Sequence, residues 1–400
     1  MISWLRGIKS RSFIRLNSGL KSENLKNHLN ETSFGIFKSQ PSPRFIQTTT
    51  ETDDKKSNIS NIETTKIANT LWNSSKNKFI DKVSFSLYLK ELYRRDLDLI
   101  QPKDATMIFY SMAKSRIHNS NLMSKLFLTL ESKGLDKFEA QGISNILWAL
   151  GKIKSKNTKI YDLCSLEVKK RGLNQFNSQA ISNSLWAFAT SKIEDRDLFN
   201  IYSSEIMKRG LDQFNSQNIS TSLWAFATSK IEDKDLFKLC SVEIKKRGLD
   251  LFKPQEVSNI LLAFATSELE DKDLFNFCSV EIKKRGLDQF NSQAISNILW
   301  AYATNKIEDK DLFNFCSSEI MKRGLDQFNS QAISNILSAF AKNKIEDQDL
   351  FKLCSSEIKK RGLDQFKSQE VSNILWAFSE SKMKDEDLLT LMANTVIPEL

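Results

Sequence analysis

Histidine is almost missing from this chain, with only His28 and His118 among 400 residues. Neither sits in a recurrent polar cluster, so no general base is on offer. Glycine-rich phosphate loops, metal-ligand spacings and serine or cysteine nucleophile signatures are missing too. Catalysis is therefore the weakest reading, and no small-molecule substrate or cofactor is expected. Glycine and proline are scarce, at twelve and five, which argues against β-sandwiches and low-complexity chains. Nowhere do 18 apolar residues run together, so no transmembrane helix and no membrane partner are expected. Cysteine is confined to Cys164, Cys240, Cys278, Cys316 and Cys354. All five share one phase of a repeat that elsewhere holds Tyr88, Leu126, Tyr202 and Met392, so they read as small hydrophobes on a helix. Ligands one period apart do not converge, and neither zinc nor a disulfide is expected.

What is there is the composition of a folded chain, 40% apolar and 27% charged, with a net charge of +9. Residues 1–50 contribute +6 through Arg6, Lys9, Arg11, Arg15, Lys21, Lys26, Lys38 and Arg44 against Glu23 and Glu31, leaving +3 for the other 350. The body is not grossly basic, so any nucleic-acid reading depends on where its charges lie. In residues 1–45, Arg, Lys and Ser alternate with Trp4, Leu5, Ile8, Phe13, Ile14 and Leu16. That pattern suits a cationic amphipathic mitochondrial transit peptide better than a secretory signal, with a plastid address the less favoured option. Residues 46–62, rich in Thr, Asp, Lys, Ser and Asn, read as a disordered linker.

From residue 63 onward a period of 38 residues governs the chain. One phase of it holds Trp72, Tyr110, Trp148, Trp186, Trp224, Leu262, Trp300, Ser338 and Trp376, which makes nine ungapped repeats over 63–400. Periods of this size mark repeat architectures. Each repeat reads as two helices. In the fourth, Ser178 is the expected N-cap of helix A, and Ile181, Leu185 and Phe188 share one face. Asp195 is expected to cap helix B, with Leu198, Phe199, Ile201, Tyr202 and Ile206 as its apolar face. Lys208 and Arg209 follow at the negative helix end, and Gly210 takes a left-handed conformation as the stop. Neither helix can bury its apolar face alone, so the repeats must stack. The expected fold is all-α, a right-handed α-solenoid of about nine two-helix repeats.

Helix A also carries a polar and aromatic stripe, as Gln179, Asn183, Trp186 and Thr190 recur at one helical face. The amide slot holds Asn69, Met107, Asn145, Asn183, Thr221, Asn259, Asn297, Asn335 and Asn373. The ring slot accepts Trp and Ser alike, unlike a tightly packed core position. A ladder on the inner surface of the solenoid is expected, with amides for base edges and rings such as Trp148, Trp186, Trp224, Trp300 and Trp376 for stacking. The competing reading packs the rings between repeats and bonds the amides to backbone. Six residues after each ring slot stand Lys78, Arg116, Lys154, Lys192, Lys230, Glu268, Lys306, Lys344 and Lys382. A strand of phosphates tracking the array would meet such a column, although a helix C-terminus also favours lysine. The Lys-Arg pairs ending helix B read as dipole partners and solvated charge.

The run Ser372-Asn373-Ile374-Leu375-Trp376-Ala377-Phe378-Ser379, within a 38-residue two-helix unit, resembles the octotricopeptide repeat proteins of algal organelles. It is also similar to the heptatricopeptide and RAP-domain proteins of apicomplexan organelles. A third likeness is to the helical part of protein six of the kinetoplastid RNA-editing substrate-binding complex. The resemblance spans residues 63–400 and implies binding of single-stranded RNA in an organelle, alongside other RNA-processing proteins. It points to Asn145, Asn183, Asn297 and Asn373 as base readers. No RAP-like domain follows the repeats, so nuclease activity has no support. The rival reading is a protein-binding scaffold of HEAT or armadillo type.

Overall fold

The computed structural model describes residues 59–77, 79–381, 383 and 385–396. Residues 1–58, which hold the segment read as a transit peptide and most of the one read as a linker, lie outside the described residues, as do 78, 382, 384 and 397–400. Within them the chain is entirely α-helical apart from one 3-10 turn, with eighteen α-helices and no strand. Successive helix pairs stack as a helical-repeat solenoid. The A helices are α1 Thr64–Lys76, α3 Pro102–Ser115, α5 Ala140–Lys152, α7 Ser178–Ser191, α9 Ser216–Thr228, α11 Pro254–Thr266, α13 Ser292–Thr304, α15 Ser330–Lys342 and α17 Ser368–Glu380. The B helices are α2 Lys82–Arg94, α4 Ser120–Lys133, α6 Thr158–Arg171, α8 Arg196–Arg209, α10 Lys234–Arg247, α12 Lys272–Arg285, α14 Lys310–Arg323, α16 Gln348–Arg361 and α18 Glu386–Val396. They group into two compact units, divided in the chain between Ser229 and Lys230. In the first, α1, α3, α5, α7 and α9 pack successively on one another; in the second, α11, α13, α15 and α17 do the same.

The A helices carry most of this packing. In α7, Ala180 to Ser182, Ser184 to Ala189 and Ser191 are buried, nearly the whole circumference. A helix apolar nearly all round belongs inside a molecule. The B helices are one-sided: α8 buries Leu198, Phe199, Tyr202, Ser203 and Ile206 and turns its remaining side chains outward. The recurring contact is an aromatic pair from helix B of one repeat to helix A of the next. Phe199 and Phe226 meet edge-to-face at 5.1 Å between ring centroids, and Phe275 and Tyr302 at 4.9 Å. Such pairs contribute about 0.5–1.5 kcal/mol beyond their buried area.

The helix starts differ from expectation at one residue. Asn177 is the N-cap of α7, its side-chain oxygen accepting from the Ala180 N–H at 2.8 Å. The Ser178 hydroxyl instead donates at 2.7 Å to the Gln213 carbonyl in the loop that leads into α9. Asp195 caps α8 as expected, accepting from the Leu198 N–H at 3.0 Å. It also receives the Ser165 hydroxyl and, at 2.8 Å, the Lys169 ammonium from the preceding B helix.

Helix ends use two distinct devices. The B helices from α4 to α16 stop on glycine, with Gly210 at φ 69° and ψ −172°, a region essentially closed to residues with a Cβ. Nothing lies within 4 Å of a Cβ built there, so the backbone angle and not crowding demands glycine. The A helices from α3 to α15 stop on a left-handed residue that is not glycine: Lys192 has φ 56° and ψ 42°. The Ile193 N–H then reaches back to the Phe188 carbonyl at 3.0 Å, the six-to-one bond of a Schellman stop.

The arginines that end the B helices hold the repeats together. Arg361 donates to the carbonyls of Phe328 at 2.6 Å and Leu325 at 2.7 Å in the preceding repeat, while Glu357 holds its guanidinium at 2.7 Å. Arg171, Arg209 and Arg323 repeat the arrangement. These guanidiniums satisfy carbonyls of the B-to-A loop that have no helical partner. They are structural links, which dipole and solvation arguments on one helix do not predict.

Candidate nucleic-acid interface

The amide slot is a line of half-exposed side chains with a shared bonding pattern. Gln141 Nε2 donates to Asn145 Oδ1 at 3.1 Å, Gln255 to Asn259 at 3.0 Å and Gln369 to Asn373 at 3.2 Å. The N-cap Asn of the next repeat joins in, as Asn177 donates to Gln141 Oε1 at 3.3 Å. Each of these three asparagines has its oxygen engaged, and its NH₂ group has no partner among the described residues. An acceptor such as a base carbonyl or a phosphate oxygen suits that donor. Asn183 is half-buried, and Asn69 is exposed with its NH₂ bonded to the Thr65 carbonyl at 2.9 Å. Asn297 and Asn335 are different: they are 1% and 7% exposed, folded into the packed A layer.

The ring slot is more deeply set than a stripe facing away from Leu185 would be. Trp186 and Trp224 are 5% and 3% exposed, and Leu262 and Ser338 are buried in the same slot. Close A-to-A packing causes this: a Cβ on Gly151 of α5 would lie 2.9 Å from both the Trp186 ring and the Ala187 Cα. Trp72, Trp148, Trp300 and Trp376 are half-buried. At the start of the array the slots meet one another, with Trp72 and Tyr110 at 4.5 Å and Tyr110 and Trp148 stacked at 4.8 Å. Lys76 sits 4.3 Å over the Trp72 ring as a cation–π contact. Trp186, Trp224, Asn297 and Asn335 are thus packed within the A layer, while Asn145, Asn259 and Asn373 are half-exposed.

The cationic column occupies the left-handed residue that ends the A helices from α3 to α15. Arg116, Lys154, Lys192, Lys230, Lys306 and Lys344, with Glu268 in the same place, have φ between 51° and 58°. All seven are exposed, and none of the six cations makes an ion pair among the described residues. The B-helix arginines, by contrast, are 16–24% exposed and paired with a glutamate four residues back, as in Arg247–Glu243 and Arg209–Glu205. A left-handed residue with a Cβ costs about 1–2 kcal/mol relative to the right-handed region. The strained stops therefore aim unpaired cations into solvent.

Three features of this surface escape a reading by phase alone. The glutamine-to-asparagine relay needs the N-cap position, which sequence reasoning assigned to Ser178. The left-handed stop is hidden because lysine carries no turn signal, whereas glycine does. Four residues after the ring slot, Lys76, Lys114, Lys152 and Lys342 add further cations; Thr190 and Thr304 there are hydroxyls with no partner among the described residues.

All five thiols are buried, and burial pushes them up, that of Cys316 to about 12. Among the described residues no group of His, Cys, Asp and Glu is placed to hold a metal ion. No described helix is long and apolar enough to cross a membrane.

Comparison with known families adds the deciding observation. The family model for the RNA-editing substrate-binding complex 6 protein matches residues 57–284 and 280–398. The chain belongs to this family. The two matched segments take in eight of the nine repeats and almost all of the ninth, including the degenerate repeats at Trp72 and Tyr110. Membership in the substrate-binding complex 6 protein family bears out one of the three likenesses drawn from the sequence; those to octotricopeptide and RAP-associated proteins stay likenesses of motif. No curated protein matches the chain.

Proposed function

We propose that this protein is a non-catalytic binder of single-stranded RNA in organellar RNA metabolism, acting within an assembly that handles RNA-editing substrates. The family description supports the RNA and the assembly. The observation that carries the reading is on the A layer: a line of asparagine NH₂ donors without partners, bordered by exposed cations without ion pairs. The bases meet Asn145, Asn183, Asn259 and Asn373, with Asn69 at the start of the line. The half-buried rings of Trp148, Trp300 and Trp376 lie beside them. The phosphates meet Lys154, Lys192, Lys230, Lys306, Lys344 and, beyond the described residues, Lys382. Residues 1–45 direct the chain to mitochondria.

The test is a mobility shift with a single-stranded RNA of about 30 nucleotides at two salt concentrations. Binding is expected at low salt and a steep fall at high salt. The double variant Asn145→Ala with Asn259→Ala should weaken binding, and an unchanged affinity would remove the amide line from the site. A scaffold reading is favoured by a different observation. Leu128, Leu166, Val242 and Val280 stand 56–66% exposed at one phase of the B helices, where a protein partner would cover them. Absence of RNA binding together with capture of another complex subunit by that face would establish the scaffold instead.

A further inference from the structure

The turns that follow the A helices are not electrostatically alike. Residues 76–83 carry Lys76, Lys78, Asp81 and Lys82, a formal +2. Residues 114–121 carry Lys114 and Arg116 and no acid, also +2. Residues 152–159 carry Lys152, Lys154, Lys156 and Lys159 and no acid, +4. In each of the next six repeats the equivalent turn is net negative, between −1 and −3. The reason is local: Glu194, Glu232, Glu270, Glu308 and Glu346 follow two residues behind the column position, where repeats two and three have His118 and Lys156. A cation column that is regular by phase is thus a basic patch at one end and a charge-compensated row elsewhere.

The patch is a real cluster. Lys114, Arg116 and Lys154 are exposed and make no ion pair among the described residues. Lys152 is half-buried among them, and that burial, with the Arg116 and Lys114 charges, pushes its ammonium below the usual lysine range. A nearby anion would relieve this mutual repulsion. Beneath the patch the rings are already in use. Trp72 has Tyr110 on one side and Lys76 near its ring, and Tyr110 is stacked against Trp148. This floor offers few free faces for bases to stack on.

We infer that the A-helix ends of the first three repeats, through Lys76, Lys114, Arg116, Lys152 and Lys154, form the principal phosphate grip for single-stranded RNA, holding the strand with little base preference. This rests on the RNA-binding reading above. The grip anchors the strand by counterion release, and the amide line beyond it meets bases over turns whose net charge gives phosphates little hold. Base readout and backbone affinity are then separated along the array.

Two quadruple variants of the full chain test it: Lys114→Gln, Arg116→Gln, Lys152→Gln, Lys154→Gln, and Lys192→Gln, Lys230→Gln, Lys306→Gln, Lys344→Gln. Affinity for 30-nucleotide poly-U and poly-A RNA is measured at several salt concentrations, with circular dichroism confirming helix content. The first variant should lose at least about tenfold more affinity than the second, equally for both RNAs. Its salt slope should flatten by about 0.7 per phosphate contact removed. A triple Lys→Arg variant at positions 114, 152 and 154 keeps the charge and should bind like wild type. Equal losses from the two quadruple variants, or a larger loss from the second, overturn the grip while leaving RNA binding intact. A loss confined to one of the two RNAs overturns its indifference to base. If the wild-type chain binds neither RNA, the RNA-binding reading fails and the grip falls with it.

Discussion

Lys192 and Gly210 end the two helices of one repeat by opposite choices, and the contrast is testable. Lys192 holds φ 56° where glycine would be unstrained. Lys192→Gly is therefore expected to leave stability unchanged or raise it by up to about 1 kcal/mol, while weakening RNA binding. Thermal unfolding and the mobility shift on the same variant measure both. Gly210→Ala puts a Cβ into a glycine-only region and should cost about 1–3 kcal/mol. A lysine kept in place of glycine for stability alone would show the reverse. Asp195 gives a pH prediction. Burial raises its pKa, but hydrogen bonds from Lys169, Ser165 and the Leu198 N–H outweigh this, so its carboxyl sits below the ordinary value. Asp385 is held in the same way by Ser355, the Leu388 N–H and Lys359. A carboxyl whose folded pKa lies below its unfolded one stabilises fully above the unfolded value of about 3.9, and this is lost as pH falls through the folded value. Melting temperature should thus drop below about pH 5, and Asp195→Asn should flatten that drop. Melts at pH 7, 5, 4 and 3 decide it.

At the scale of the element, the informative residue is the arginine that closes the B helices from α6 to α16. The helix dipole alone accepts lysine there as readily. The structure uses a fork: two carbonyls of the preceding repeat and one glutamate meet a single planar guanidinium. Arg361→Lys keeps the charge and loses the fork, and should cost about 1.5–3 kcal/mol in urea unfolding. A cost near zero would return the position to a dipole role. The same residue shows how far the sequence was legible. The helices, their apolar phases, the Asp cap and the glycine stop follow from spacing and from chemistry within about four residues. The Arg-to-carbonyl link joins residues 33 and 36 positions apart, and the Ser165-to-Asp195 bond joins residues 30 apart. No helical rule relates such positions. The N-cap differs from expectation by one residue for a related reason: Asn177 and Ser178 can both cap, and the Gln213 carbonyl, 35 residues on, engages Ser178.

For the whole molecule, the stacking of like units follows from a period that no single repeat can satisfy by itself. Nine two-helix repeats, the phase of the main apolar positions and the small-hydrophobe role of the cysteines were determined by the sequence. Periodicity reports which residues share a face, and the hydrophobic effect decides which face is covered. What only the tertiary structure decided is how much of helix A is left over. The A helices approach closely enough to bury Trp186, Trp224, Asn297 and Asn335, while leaving Asn145, Asn259 and Asn373 partly open. One phase thus holds both packing and surface residues, because exposure depends on what the neighbouring repeats place opposite. The left-handed lysine stops belong to the same class. Their side chains are unremarkable in sequence, and only the fold shows that six of the A helices end by turning a cation outward.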